Sequence, residues 1–309
     1  MIDLTSPKII SLLPAATEFV AALGLTQSLA GRSHECDYPP EVRHLPVCTT
    51  ARLNSNKPSG EIDRDVQELL KKALSIYEVD ADAIAQIKPT HIITQDQCDV
   101  CAVSVGEVER ALKELTQIEA QVISLQPNKL SEVWDDIERL GKIFNIPVQN
   151  TLAQLQLRVE LCQKNTQSLA SENLPIVVAL EWMKPLMGAG NWIPELIELA
   201  GGKPLFGETG KHSPYLKWED LQQADPDIIV IMPCGFDLER TREESQVLKQ
   251  HSGWNELKAV KSDRVYVTDG NAYFNRPGPR LVDSLEILAE ILHPSLFEFG
   301  YIGTGWDYF

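Results

Sequence analysis

The chain has 309 residues and a formal net charge of −16, from 28 basic and 44 acidic side chains. This length exceeds one ordinary domain, and with 43% hydrophobic residues the chain can fill two hydrophobic cores. The negative charge argues against nucleic acid or an anionic membrane surface as a partner, because like charges repel.

Apolar, strand-like runs alternate with helical patterns along the chain, which is typical of an α/β protein with mostly parallel sheets. A strand over 9–13 is followed by a short helix that should end at Gly24. The second half begins in the same way, with a strand over 176–180 and a helix that should end at Gly201. The chain therefore contains two units of similar order.

The clearest sign of duplication is a helix that stops at a proline and continues as an apolar strand. It occurs at 84–93, around Pro89, and again at 221–230, around Pro226. Proline disfavours a helical conformation in the residue before it, so both helices should end at the same point of the motif.

The duplication predicts two similar α/β lobes, with residues 1–148 as the N-terminal lobe and 173–293 as the C-terminal lobe. One long backbone helix over 149–172 is expected to join them, and a ligand cleft is expected between them. Residues 294–309 form an aromatic tail. We expect the tail to pack over a lobe as an ordered strap, and a flexible lid is the alternative.

The first residues lack the basic start and apolar core of a signal peptide, and no run reaches the ~18 apolar residues of a membrane span. We therefore expect a cytoplasmic protein that is not inserted in a membrane. The alternative is a periplasmic protein, if a leading segment precedes this sequence. The six cysteines are few for this length and favour reduced thiols over a disulfide framework.

Three runs carry a family resemblance: 8–18 (KIISLLPAATE), 31–39 (GRSHECDYP) and 275–280 (NRPGPR), continued by 87–89 and 225–229. In these runs the chain resembles the cobalamin-binding branch of the ABC-transporter substrate-binding proteins, which have the helical-backbone, class III periplasmic-binding-protein fold. The resemblance implies a non-catalytic protein with no intrinsic cofactor, whose ligand is cobalamin or a related corrinoid or metal chelate. Siderophore and haem binders share this scaffold and are alternatives.

The resemblance also implies an ABC permease as a partner. In this family each lobe presents an exposed carboxylate to arginines of the permease, and the matching residues here are Asp82 and Glu219. The alternative is that both are solvated first-turn residues favoured by the helix dipole. The expected role is ABC-type uptake or, as an equal alternative, intracellular carriage of the same ligand.

Ligands of such sheets lie on the loops at the carboxyl ends of the strands. Helix-start amides suit a polar ligand group, aromatic rings pack on a macrocycle, and the arginine fork suits a phosphate or a carbonyl. For each aromatic residue, ordinary core or rim packing is the alternative. The candidate ligand-binding residues are Ala15, Ala16, Thr17, His34, Tyr38, Glu181, Trp182, Trp192, Tyr215, Phe236, Phe274 and Arg276.

Cys98 and Cys101 form a CxxC after the strand that begins at His91, and His34 and Cys36 lie on the neighbouring strand-end loop. These four residues are candidates for a metal or redox site, and the alternative is a set of reduced structural thiols. A thiol- or metal-dependent enzyme or sensor is therefore the second functional hypothesis. The sequence lacks a P-loop, a His-Glu-x-x-His helix and a nucleophile elbow, so we expect no enzyme.

Overall fold

The structure is a computed structural model that describes residues 6–71, 76–95, 106, 108, 119–167, 169 and 171–309. The chain divides into two compact units. Unit 1 comprises Met1–Lys57, Arg64–Pro127 and Glu132–Leu152, and unit 2 comprises Pro58–Asp63, Asn128–Ser131 and Ala153–Phe309.

The sheets of unit 1 contain β1 (Ile9–Ser11), β2 (Leu29–Arg32), β3 (Thr49–Ala51), β4 (Tyr77–Val79), β5 (His91–Gln95) and β6 (Gln121–Leu125). Four of these strands form a parallel sheet in the order β2-β1-β5-β6, while β3 and β4 pair antiparallel. The helices of the first half are α1 (Pro14–Ala22), α2 (Ser59–Lys71), α3 (Ala81–Ile87) and α4 (Leu130–Phe144).

The second half begins with the long helix α5 (Gln149–Thr166), within which the chain passes from unit 1 to unit 2. Its strands are β7 (Ile176–Met183), β8 (Leu186–Gly188), β9 (Lys203–Leu205), β10 (Ile228–Ile231), β11 (Val265–Thr268) and β12 (Trp306–Tyr308). Its further helices are α6 (Ile193–Leu199), α7 (Trp218–Ala224), α8 (Leu238–Glu244), α9 (Lys258–Lys261) and α10 (Leu281–Leu292).

The sheet of unit 2 is parallel at its centre and antiparallel at its edges. Strands β11, β10, β7 and β9 run parallel, and β12 and β8 pair antiparallel with β11 and β7. Every residue of β1 and β10 is buried, as expected for parallel strands that are covered on both faces. The prediction of an α/β protein with two mostly parallel sheets joined by a long helix is confirmed.

The duplicated proline motif has the same local structure in both units. Helices α3 and α7 each span seven residues and are followed by a left-handed residue, Lys88 (φ 52°) or Asp225 (φ 41°). The next residue is Pro89 or Pro226, and a parallel strand follows. Gly24, at φ 72°, follows α1 in the same left-handed region, where a glycine carries no Cβ penalty.

The helix α5 ends at Thr166, whereas the sequence predicts a helix up to residue 172. The Thr166 hydroxyl donates to the carbonyl oxygens of Cys162 and Gln163, at 3.2 and 3.0 Å.

The aromatic tail is ordered and belongs to unit 2. Its strand β12 pairs with β11, and Trp306 is buried. The Glu290 carboxylate of α10 accepts hydrogen bonds from the backbone amides of Gly300 and Tyr301 and from Trp306 Nε1, the last at 2.8 Å. The tail is thus a strap whose turn is fixed on a buried carboxylate.

Two helix starts in unit 2 are held by glutamates. The Ser59 amide donates to Glu244 Oε2 at 3.1 Å, and the Leu130 amide donates to Glu195 Oε2 at 2.8 Å. Carboxylates at these positions satisfy free first-turn amides and oppose the positive end of the helix dipole. None of the helices within the described ranges combines the length and apolar character that a bilayer crossing requires.

Candidate functional site

Two parallel strands of unit 2 bring two predicted aromatic residues together at their carboxyl ends. Trp182 lies near the end of β7 and is partly exposed, and its ring centroid is 5.2 Å from that of the buried Phe236, which follows β10. The guanidinium carbon of Arg240 lies 3.7 Å from the centroid of the Phe236 ring. We call Trp182, Phe236 and Arg240 the strand-end stack.

The local sequence fixes this stack. Trp182 Nε1 donates to the Lys184 carbonyl oxygen at 3.1 Å, and Asp237 caps α8 by accepting from the Arg240 amide at 2.9 Å. Burial lowers the pKa of Arg240, and the carboxylates of Glu244 and Asp237 raise it by a smaller amount. The guanidinium nevertheless stays cationic near neutral pH. The stack therefore combines a partly exposed aromatic face with a positive charge.

The sequence analysis missed Arg240. Phe236 precedes the N-cap Asp237 and lies outside α8, so no helical spacing in the sequence marks its contact with Arg240.

Glu181 holds a neighbouring loop. The Ser213 hydroxyl donates to Glu181 Oε2 at 2.5 Å and accepts from the Gly190 amide at 3.0 Å. Two residues later, Tyr215 forms an isolated bridge with Met187 and is 61% exposed. Among the predicted aromatic residues of unit 2, Tyr215 is thus the most accessible.

The other predicted residues of unit 2 lie in its core. Trp192 and Phe274 are buried, and Trp192 Nε1 donates to the Phe274 carbonyl oxygen at 2.9 Å. Arg276 is also buried, with 4% of its surface exposed. The Trp192 indole is thus bonded to the backbone of the loop after β11, in which Phe274 and Arg276 are buried.

In unit 1 the predicted helix start lies directly after β1. Ala15, Ala16 and Thr17 are buried, and the Thr17 hydroxyl donates to Ser11 Oγ at 2.8 Å. Helix α1 has Leu13 as its N-cap, which has no side-chain oxygen for the first-turn amides. The polar groups that this turn can offer a ligand are therefore backbone amides.

His34 lies on the loop after β2. Its Nδ1 is 2.8 Å from Thr49 Oγ1, and its ring centroid is 5.4 Å from that of Tyr77. The Tyr77 hydroxyl donates to Glu35 Oε1 at 2.9 Å. Burial and the Arg32 charge lower the pKa of His34, so its imidazole is neutral near neutral pH. The sequence analysis missed Tyr77, which comes from the separate strand β4.

The remaining candidates of unit 1 differ in accessibility. Tyr38 is 42% exposed, whereas Cys36 is 1% exposed, with its Sγ 3.9 Å from the Ser11 carbonyl oxygen. Cys98 and Cys101 lie outside the described residues. The described residues contain no group of three histidine, cysteine or acidic side chains arranged to hold a metal ion.

The two predicted docking carboxylates occupy equivalent places in their own units. Asp82 is the second residue of α3, Glu219 is the second residue of α7, and both are exposed.

A cavity of about 430 Å³ in unit 2 is lined by Met183, Leu186, Leu216 and Trp218, among others. It lies at the hairpin between β7 and β8, and none of the predicted ligand-binding residues lines it.

The sequence matches a known family. The family model described as Periplasmic binding protein matches residues 9–272. The chain belongs to the periplasmic binding protein family. This match confirms the predicted resemblance to the ABC-transporter substrate-binding proteins.

Individual members of the family show the same relationship. A Vitamin B12-binding protein of Vibrio cholerae serotype O1 is 26% identical over 282 residues, which cover 90% of this chain and 86% of that protein. The crystal structure of a periplasmic vitamin B12 binding protein of Vibrio cholerae has a TM-score of 0.62 at 23% identity, covering 93% of this chain and 96% of that one.

A periplasmic heme-binding protein from Roseiflexus sp. RS-1, in apo form, has a TM-score of 0.68 at 21% identity, covering 94% of this chain and 100% of that one. At these identities the structural similarities show the fold alone.

The prediction of a cytoplasmic location is wrong. The family is that of periplasmic binding proteins, and both solved relatives are named as periplasmic, which points to an extracytoplasmic location. The prediction failed because it relied on the first few residues, and the start of a sequence does not reveal whether a leading segment precedes it.

Proposed function

We propose that this protein is a non-catalytic binding protein that captures cobalamin or a related corrinoid through its strand-end loops. The observation that carries the proposal is the strand-end stack: a partly exposed indole packed on a buried phenyl ring at the carboxyl ends of β7 and β10. An aromatic surface of this kind suits the broad face of a macrocycle. The Vitamin B12-binding relative, which is 26% identical over 90% of the chain, supports the same ligand class.

Rigidity supports capture over catalysis. Phe236 is buried, Trp182 is tied to the Lys184 carbonyl, and Arg240 is placed by a capped helix. A surface that is ordered before binding loses little conformational entropy, so more of the contact energy is available for affinity. Cys36 is buried, so no observation on the described residues favours the thiol-dependent enzyme.

Haem is the second candidate ligand. It shares the flat macrocycle, and a structural relative is named as a heme-binding protein. The Arg240 guanidinium of the strand-end stack suits the carboxylate groups of haem as well as the phosphate of cobalamin. Cobalamin and haem differ in their metal and in their charged substituents, so binding measurements can distinguish them.

We further propose that the ligand is delivered to an ABC permease through Asp82 and Glu219. Both carboxylates are exposed at the second position of equivalent helices, which supports a common role for the two residues. Charge pairing with basic groups of a partner would account for the choice of acidic side chains at both places.

The ligand proposal is tested by titrating cyanocobalamin and haemin into the wild-type protein and into the variants Trp182→Leu and Tyr308→Leu. We expect Trp182→Leu to weaken binding by about tenfold or more, the loss of one aromatic contact of about 1.4 kcal/mol or more. Tyr308 is an exposed aromatic residue of the tail and serves as the matched control. Equal affinity in the wild type and Trp182→Leu would show that the stack does not bind the ligand.

A further inference from the structure

The cavity of about 430 Å³ in unit 2 is separate from the strand-end stack. We call it the hairpin cavity, because the β7–β8 hairpin contributes Met183 and Leu186 to its lining. Trp182 precedes Met183 in β7, where successive side chains point to opposite faces of the sheet. Neither Trp182 nor Phe236 lines the cavity. Its volume is within the range of about 300–1,000 Å³ in which proteins hold small molecules.

One side of the hairpin cavity is an apolar wall that is held by backbone hydrogen bonds. Met183 and Leu186 are buried, at 2% and 7% exposure. Leu216 lines the same cavity, and its amide donates to the Leu186 carbonyl oxygen at 2.8 Å. The Gly188 amide donates in turn to the Pro214 carbonyl oxygen at 3.0 Å. The segment that carries Leu216 is thus bonded along β8, so this wall is ordered by the protein itself.

An aromatic pair forms another part of the lining. The rings of Trp218 and His251 stack with their centroids 4.3 Å apart and an angle of 18° between their planes. Trp218 Nε1 donates to the Ser252 carbonyl oxygen at 2.8 Å, and Gln222 Nε2 donates to the same oxygen at 2.9 Å. Rings that are fixed before binding offer a ligand contact area at little cost in conformational entropy.

The polar groups of the cavity are at its exposed rim. Lys184 and Gln250 line the cavity and are both exposed. Among the described residues that form the lining, Lys184 supplies an ammonium group and none supplies a carboxylate. An ammonium group beside an apolar cavity favours an anionic ligand over a cationic one, because opposite charges attract.

We propose that the hairpin cavity is a second binding site, which takes a small aromatic carboxylate. The aromatic body lies against Met183, Leu216 and Trp218, and the carboxylate lies at the rim beside the Lys184 ammonium group. Binding is non-covalent. The proposal goes beyond the proposed function and does not rest on it, because the cavity shares no residue with the strand-end stack.

Two probes separate the apolar contribution from the charge. 1-Naphthylacetate and 1-naphthylacetamide share one ring system, and only the first carries a negative charge. The binding of each probe to the wild type is measured by saturation-transfer NMR titration. We expect naphthylacetate to bind with a Kd of about 1 mM or tighter, as is usual for a ligand of its size, and the amide to bind about three- to fivefold more weakly.

Two variants test the location of the site. Val247 is a half-buried residue of the lining, and Val247→Trp fills part of the cavity, so both probes should bind at least about tenfold more weakly. The control is Gln246→Trp, at an exposed neighbour outside the lining. Lys184→Gln should weaken naphthylacetate about three- to fivefold and leave the amide unchanged. Its control is Lys164→Gln, at an exposed lysine of α5.

The proposal is wrong if naphthylacetate does not bind the wild type below about 10 mM, or if it binds Val247→Trp as tightly as the wild type. It is also wrong if Trp182→Leu weakens naphthylacetate as much as Val247→Trp does, because the ligand would then lie on the strand-end stack. If Lys184→Gln binds both probes like the wild type, the preference for a carboxylate is wrong. Lys184 is exposed, so this comparison is decisive even if Val247→Trp lowers the stability of the protein.

Discussion

The strap of unit 2 gives a stringent test of the packing described above, through the substitution Glu290→Ala. The Glu290 carboxylate is 5% exposed and accepts hydrogen bonds from two backbone amides of the tail and from Trp306 Nε1. Removing it leaves the buried indole N–H without an acceptor and releases the turn that carries Gly300 and Tyr301.

The expected cost follows from these three bonds. A hydrogen bond to a charged group contributes about 1.5–3 kcal/mol, and contributions from one acceptor are not additive. Gly300 is exposed and can bond to water after the substitution, so its loss is partly offset. We therefore expect Glu290→Ala to lower the free energy of unfolding by about 3–5 kcal/mol. For a unit of this size that corresponds to a fall of about 6–20 °C in Tm.

The measurement is urea unfolding followed by tryptophan fluorescence, with Glu298→Ala as the control. Glu298 is an exposed glutamate of the same tail, so its substitution changes the charge equally and should cost less than about 0.5 kcal/mol. If both variants unfold within about 1 kcal/mol of each other, the carboxylate does not anchor the strap, and the reasoning is wrong.

Three further predictions concern other parts of the chain. Burial raises the pKa of the Cys48 thiol to about 11 and that of Cys162 to about 12, so iodoacetamide near pH 8 should spare both and alkylate the partly exposed Cys234, as read by peptide mass spectrometry. The pKa of His34 is lower in the folded state than its ordinary value of 6.5, so the unfolded chain takes up this proton first as the pH falls. Stability should therefore decrease below about pH 6.5, and His34→Gln should flatten that decrease in urea unfolding at several pH values. Gly201→Ala should lower the free energy of unfolding by about 1–3 kcal/mol in the same assay. The reason is that φ is 81° and the new methyl group would lie 2.8 Å from the methyl group of Thr166. An unchanged urea midpoint would contradict this.

The fold could be predicted because its main signals act between chain neighbours. Pro89 and Pro226 restrict the residues before them, and Gly24 supplies a left-handed helix end at no steric cost. The alternation of strands and helices then leaves few topologies open. The end of α5 at Thr166 was not predicted, because no glycine or proline lies between Thr166 and Pro175 to mark it.

The contacts of the candidate site could not be predicted from the sequence, because they join distant positions. Trp192 follows a strand and hairpin as a ligand residue would, yet its indole donates to the Phe274 carbonyl, 82 residues away. Tyr77, which supports His34, comes from another strand, and no local pattern links the two residues. The strand-end rule selects the loops, but it does not tell which side chains on them face inward.

The central claim is that this protein binds a metallated tetrapyrrole, and equilibrium titration of the wild type tests it most directly. Cyanocobalamin, cobinamide, haemin and ferric siderophores are each titrated against the same preparation, with affinity read from tryptophan quenching. We expect a corrinoid to bind well below about 100 μM, a binding free energy stronger than about −5.5 kcal/mol, and siderophores to bind more weakly. If no tetrapyrrole binds below that concentration, or if a siderophore binds more tightly than every tetrapyrrole, the claim is contradicted.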